Sequence, residues 1–246
     1  MSTTVAKAVL VLHQLADGPR SLSALADAVG VHSSTALRMI QPLLADGLIA
    51  RGGDGKYRLG LRLAELGQQA LDNVDLHGAA HGHLLELAED VGATVHLAQL
   101  IDDAIVYVDK IEHPATMRMW SRVGRAVPLH TSSVSKAILA RLEPELRDRL
   151  IARCGFEQHT DETITTREAL LAELRVTADR GYATDLGEFE PLVHCIGIPV
   201  PQSSGVDAAV SVTTIQASPD VDALRGLVPR LATAATAIAA DLGHRG

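Results

Sequence analysis

The sequence predicts an α+β chain of two units: a small winged helix-turn-helix head, then a body with a mostly antiparallel sheet flanked by helices. Three observations lead there. Helical periodicity ending in a Gly-rich hairpin fills the first 60 residues, strand and helix patterns without strict βαβ alternation fill the rest, and the charge divides between them. Through residue 62 there are seven Lys and Arg against four Asp, +3; the remainder holds 15 basic and 26 acidic residues, −11. The overall −8 argues against a nucleic-acid partner until it is resolved in this way.

Composition bounds the rest. A chain of 246 residues with 47% hydrophobic content is an ordinary globular protein of one or two domains. No window approaches the roughly 18 consecutive apolar residues of a bilayer span, and Asp17 and Asp27 interrupt any leader-like start. The expected location is therefore the cytoplasm, away from the membrane. Two cysteines, Cys154 and Cys195, are too few for a disulfide framework or a zinc knuckle. Six aromatic residues leave few rings for stacking unpaired bases, which excludes a single-strand binder.

In the head, residues 4–16 place Val5, Val9, Leu12 and Leu15 at helical spacing, and Asp17-Gly18-Pro19 ends that helix. Ser21 is the N-cap of a second helix with Leu22, Leu25, Ala26 and Val29 inward, stopped at Gly30. Ser33-Ser34-Thr35 open a third, with Leu37, Ile40, Leu43 and Leu44 inward and Ser34, Thr35, Arg38 and Gln41 outward. Pro42 lies inside it and predicts a kink, with the half before Pro42 straight. Two short alternating runs around Gly52-Gly53-Asp54-Gly55 form a hairpin carrying Arg51, Lys56 and Arg58. The domain boundaries read as 1–60 for this head, 61–75 for a linker helix with Leu63, Leu66, Ala70 and Leu71 on one side, and 76–246 for the body.

In the body the expected order is a helix over 77–91, strands in TVHLAQLI, AIVYVDKIE and MRMWSR, and helices over 131–142, 144–153 and 166–180. Strands YATDLGEF, VHCIGIPV and DAAVSVTTI follow, then one long Ala-rich helix over 221–242.

A helix of this kind fits the major groove: its N-terminal N–H groups and hydroxyls suit phosphate, and an Arg one turn in reaches a guanine edge. Ser34, Thr35 and Arg38 supply those parts. Arg51, Lys56 and Arg58 would hold the DNA backbone, with a salt-sensitive contribution. The plainer alternative is a winged helix used for protein contacts, or a solvated basic face.

These residues carry a resemblance. The run S-x-L-A-x-x-x-G-x-x-x-S-T-x-x-R from Ser23 to Arg38 and the wing GKYRLG are similar to the IclR family of bacterial transcriptional regulators. The body agrees along its length, in ATVHLAQL, VYVDKIE, RMWSRVGRAVPLH and GYATDLGEFEPLVHCIGIPV, with Gly181, Asp185, Glu188 and Cys195 at the family's spacing. The resemblance implies a homodimer or dimer of dimers that binds a double-stranded DNA operator, most simply as a repressor, without a cofactor. It also implies a GAF-like body that binds a small organic acid and thereby alters DNA binding.

A pocket is expected on the residues too. His130 to Val134 opens a helix whose free N–H groups suit a carboxylate. Asp185 and Cys195 lie on facing strands, and Ser211 and Thr213 share one strand face. The resemblance assigns effector contacts to Ser133 and Val134 through their backbone, and to the side chains of Asp185, Cys195, Ser211 and Thr213. Met119, Val127 and Val193 are then apolar walls. Ser135-Lys136 replaces the Gly-Lys frequent in the family, so Ser135 is expected to narrow the pocket. Asp185 is awkward beside an anion and suits a ligand hydroxyl, which favours a sugar or hydroxy acid over a bare dicarboxylate.

Two other chemistries stay open. Cys195 with a histidine base reads as a hydrolase, or as a redox-sensing thiol, with a vestigial winged helix; neighbouring His194 points to the opposite strand face, so His130 would have to serve it across the fold. His77 and His81 have the i,i+4 spacing of zinc ligands, but Gly78 and Gly82 weaken that helix and His83 projects elsewhere. A solvated cluster is the expected reading, with no metal.

Overall fold

A computed structural model describes residues 4–72, 75–113, 119–201 and 207–243. Two compact units divide the chain, one up to residue 73 and one from residue 74. No helix among the described residues is long and apolar enough to cross a membrane.

The first unit contains α1 (Thr4–Ala16), α2 (Leu22–Ala28), α3 (Ser33–Ala45), the hairpin strands β1 (Ile49–Arg51) and β2 (Tyr57–Leu59), and α4 (Arg62–Asp72). Its core is Val11, Leu15, Leu25, Val29, Met39, Ile40, Ile49 and Tyr57. The inward stripe of α3 is Ala36, Met39 and Ile40, which leaves Leu37 exposed, contrary to expectation. On α1, Val5 and Val9 are likewise exposed, because Val11 and Leu15 define the buried line and Val5 and Val9 fall outside it. Ser21 caps α2 by accepting from the Ala24 N–H at 3.2 Å. His32, rather than a serine, caps α3: its Nδ1 accepts from the Ser34 N–H at 3.4 Å. The helix runs on through Pro42. In the hairpin, Gly55 takes φ +76, the positive value its Asp-Gly turn requires. Tyr57 exchanges two backbone hydrogen bonds with Arg20, tying the wing to the start of the helix-turn-helix. The helix expected after the wing is α4, whose Leu63 and Leu71 are half-buried while Leu66 is exposed.

The second unit is a five-stranded antiparallel sheet in the order β4-β3-β7-β6-β5. The strands are β3 (Thr94–Ile101), β4 (Ala104–Ile111), β5 (Ala183–Leu186), β6 (Val193–Pro199) and β7 (Ala208–Ile215). One face, with Val95, Leu97, Ile196, Val210 and Val212, packs on α5 (Asp75–Val91) and α10 (Val228–Gly243). The other, with Ala98, Ala183 and Ala209, packs on α6 (Ser133–Leu139), α7 (Pro144–Ile151) and α8 (Arg167–Arg180). Small residues on that face let α6 lie close. A Cβ on Gly197 would sit 3.1 Å from Ser133 Oγ.

Two expected elements differ. The closing helix is broken into α9 (Val221–Gly226) and α10 at Leu227, since Pro229 lacks an N–H and its ring crowds the carbonyl of Arg225. MRMWSR forms no strand where it is described, residues 119–122; Met117 and Arg118 lie outside the described residues. Side chains there satisfy the backbone carbonyls that a ladder would have used. Arg122 Nη1 donates to Met119 O at 2.5 Å and to Ser121 O at 2.7 Å, and Lys110 Nζ to Ser121 O at 3.1 Å. Just beyond this segment Ala126 makes an isolated bridge to Val106, and the Val127 N–H donates to Ile105 O at 2.8 Å.

Candidate functional site: an exposed basic face and a cavity against the sheet

On the first unit Ser34 and Arg38 are exposed and Thr35 half-buried on α3; Arg51, Lys56 and Arg58 are exposed on the hairpin. The Ser34 hydroxyl shares a 3.0 Å hydrogen bond with His32 Nδ1, so His32 belongs to this surface although the sequence reading passed over it. Arg58 pairs with Asp54 at 3.3 Å and Arg51 Nε donates to Gly55 O at 3.3 Å. These are exposed contacts, worth little in water, so they orient the cations without consuming their charge.

The register of the body sheet builds the second site. Asp185 pairs with Cys195, Cys195 with Thr213, and Ser211 with both Gly197 and His96. Alternation places these side chains on the α6 face. There they line a cavity of about 50 Å³, together with Tyr107, Met119, Trp120, Ser121, Pro128, Thr131, Ser132, Ser133, Phe189, Glu190 and Val193. Seven of the nine expected effector residues thus meet. Val134 and Val127 do not reach the cavity: both turn into the apolar cluster under α6. Ser135 is fully buried outside the lining, so it does not narrow the space as expected. His96, Tyr107, Ser121, Trp120, Pro128, Phe189 and Glu190 were missed. For the first two the signal was present, polar residues on the same face as Ser211 in an otherwise apolar sheet; the others sit in loops.

Inside, the polar groups are mostly tied to each other. His96 Nε2 lies 2.8 Å from Ser121 Oγ and its Nδ1 3.3 Å from Thr213 Oγ1, which in turn lies 3.2 Å from Cys195 Sγ. Burial, reinforced by Lys110, drives His96 down to about 3, so the ring is neutral. Burial also pushes the Cys195 thiol and the Tyr107 phenol up, so both keep their protons. The Thr131 hydroxyl, buried in the wall, has no hydrogen-bond partner among the described residues.

Behind this wall Lys136 is fully buried and its Nζ donates to Glu188 Oε1 at 2.5 Å. Asp185 accepts from the Glu188 N–H at 2.8 Å. One ammonium matches one of the two carboxylates. Burial therefore drives both acids up against the pull of Lys136, Asp185 to about 6 and Glu188 to about 8.

His130 does not serve Cys195. Its Nδ1 lies 3.4 Å from Cys154 Sγ and its Nε2 contacts Glu157 O at 3.0 Å. A thiol held protonated, and linked through Thr213 only to the weakly basic His96, is a poor nucleophile.

Residues 4–53 match the IclR helix-turn-helix domain, and residues 68–240 match the family described as bacterial transcriptional regulator IclR C-terminal. The chain belongs to the IclR family. Among curated IclR-type relatives, the transcriptional regulator KdgR of Escherichia coli is 35% identical over 227 residues, 91% of this chain and 86% of that protein. The transcriptional repressor IclR of Escherichia coli is 29% identical over 73% of this chain and 67% of its own length. An IclR homologue from Microbacterium hydrocarbonoxydans, crystallised with 4-hydroxybenzoate, superposes with a TM-score of 0.82 at 27% identity, covering 98% of this chain and 99% of that one. The IclR resemblance and the α+β architecture drawn from the sequence are borne out, and none of these relatives supports a hydrolase.

Proposed function

We propose that this IclR-family regulator is a cytoplasmic repressor, not an enzyme, that grips an operator as a homodimer or dimer of dimers and responds to a small hydroxy, keto or sugar acid. Arg38 reads a base edge, Ser34 and Thr35 meet phosphate at the start of α3, and Arg51, Lys56 and Arg58 track the backbone of the duplex. The winged helix with its exposed cations and the likeness to repressor IclR support this half.

One observation carries the effector half. The buried Thr131 hydroxyl, without a hydrogen-bond partner among the described residues, belongs with Ser133 and Asp185 to the wall of a cavity whose lining, among those residues, includes no Lys or Arg. A carboxylate there is held by neutral donors, Thr131, Ser132 and the backbone of Ser133, while Asp185 accepts from a ligand hydroxyl. A cavity of about 50 Å³ suits a short acid. Binding shifts the DNA-competent population by preferring one arrangement, typically by about 1–3 kcal/mol.

The test has two arms. Random duplexes enriched on the full chain are used for gel shifts: Arg38→Ala raises the protein concentration needed for the shift roughly 5- to 150-fold, and Cys195→Ala leaves it unchanged. A thermal-shift panel of lactate, glycerate, gluconate and 4-hydroxybenzoate raises the melting temperature with at least one acid. An affinity unchanged in Arg38→Ala, or a panel with no response, removes the corresponding half.

A further inference from the structure

We propose that His77, His81 and Asp109 form a second ligand site, away from the effector cavity, that takes a divalent transition-metal ion of the zinc, cobalt or nickel class. The two histidines lie one turn apart on α5, with ring centroids 5.5 Å apart. The third group comes from the neighbouring edge strand through a bulge. Leu97 pairs with Asp109 and Ala98 with Tyr107, so Val108 is an extra residue in β4. The bulge leaves Tyr107 on the cavity face and turns Asp109 to the α5 face.

The geometry is close to a coordination sphere. Asp109 Oδ2 lies 2.7 Å from His81 Nδ1 and 3.8 Å from His77 Nε2, and one ligand atom from each residue falls within 4.8 Å of the others. Tetrahedral bonds of about 2.0–2.1 Å set ligand atoms roughly 3.3 Å apart, between the two aspartate–histidine separations, and a turn of the half-exposed His81 side chain can bring the three ligand atoms around one ion. The charge also fits. The Asp109 side chain is only 7% exposed, and among the described residues its ion-pair partners are these two imidazoles alone, with no Lys or Arg. Its Oδ1 accepts from the Lys110 N–H at 2.7 Å, which orients the carboxylate as an outer partner orients a metal ligand. His81, 47% exposed, leaves an open side for the ion and a water. Two imidazoles with one carboxylate favour zinc, cobalt or nickel over magnesium or calcium, which take oxygen donors. His83 takes no part: its Nε2 lies 3.0 Å from Asp241 Oδ2.

The experiment titrates chelator-treated full-length protein with zinc chloride by calorimetry and with cobalt chloride by visible absorption. The expected result is one zinc per chain and ligand-field bands for the cobalt adduct. His81→Gln, at a half-exposed position that tolerates change, weakens zinc at least tenfold; Asp109→Asn does the same, and His83→Gln leaves affinity unaltered. Circular dichroism of the metal-free variants confirms that each is folded. Absence of zinc binding, or an affinity unmoved by His81→Gln, overturns the proposal.

Discussion

If the cavity takes an organic acid as proposed, Asp185 makes that binding depend on pH. Its carboxyl, 4% exposed, is raised to about 6 because burial outweighs the pull of Lys136. A ligand carboxylate in the same small cavity, about 5 Å away at an effective dielectric of about 20, meets a charged Asp185 with roughly 3 kcal/mol of repulsion. The protonated form therefore does the binding. Its share drops from about three quarters at pH 5.5 to about 3% at pH 7.5, so acid affinity weakens about 25-fold, or ~1.9 kcal/mol, across that window. The sign is fixed by the direction of the shift: affinity is full below the Asp185 midpoint and is lost as pH rises through it. The repulsion exceeds this loss, so the charged form does not mask it. Calorimetry with the tightest acid of the panel reads the effect, and Asp185→Asn flattens the profile at its low-pH level. A flat wild-type profile, or a slope retained in the Asn variant, refutes the reasoning.

Three further outcomes follow from the same geometry. Arg38→Ala weakens specific operator binding by about 1–3 kcal/mol and relaxes one base position, whereas Lys56→Ala weakens all sequences evenly and lowers the salt slope by about one; gel shifts across a salt series separate them. Cys195, held as a thiol by burial beside Asp185, reacts with iodoacetamide at neutral pH far more slowly than a free cysteine, which peptide mass spectrometry checks; rapid labelling contradicts the assignment. Ile40 is fully buried in the first unit's core, so Ile40→Ala costs about 2–5 kcal/mol there and abolishes the gel shift, while thermal response to the acid persists in the second unit.

What the sequence disclosed depended on how far each signal reached along the chain. Periodicity, caps and turn glycines act over a few residues, so the helix-turn-helix, its hairpin and every strand of the sheet were legible, as were Asp185 and Cys195 on facing strands and Ser211 and Thr213 on one strand face. Residues whose role depends on a distant partner were less so. Val134 follows Ser133 on a short helix, and only the position of α6 over the sheet decides that Ser133 meets the cavity while Val134 enters the apolar cluster. MRMWSR alternates as a strand does, yet Arg122 and Lys110 capture its carbonyls. Leu37 and Val9 obey helical spacing but fall just outside the buried stripe, a rotation that apolar counts do not resolve.

The bulge at Val108 shows how one local irregularity serves two chemistries. In a regular strand Tyr107 and Asp109 would share a face, because side chains repeat every two residues. Asp109 would then point toward the wall that already holds Asp185 and Glu190, adding a carboxylate to a space we assign to an anion. A third acid there would strengthen the repulsion and raise the acids further. The extra residue instead keeps Tyr107 in the wall, where its phenol hydrogen-bonds Ser132 at the start of α6, and turns the carboxylate through the sheet to the imidazoles of α5. A one-residue slip reverses every side chain beyond it, so the anion-tolerant cavity and the histidine–aspartate cluster stand or fall with the same unpaired valine.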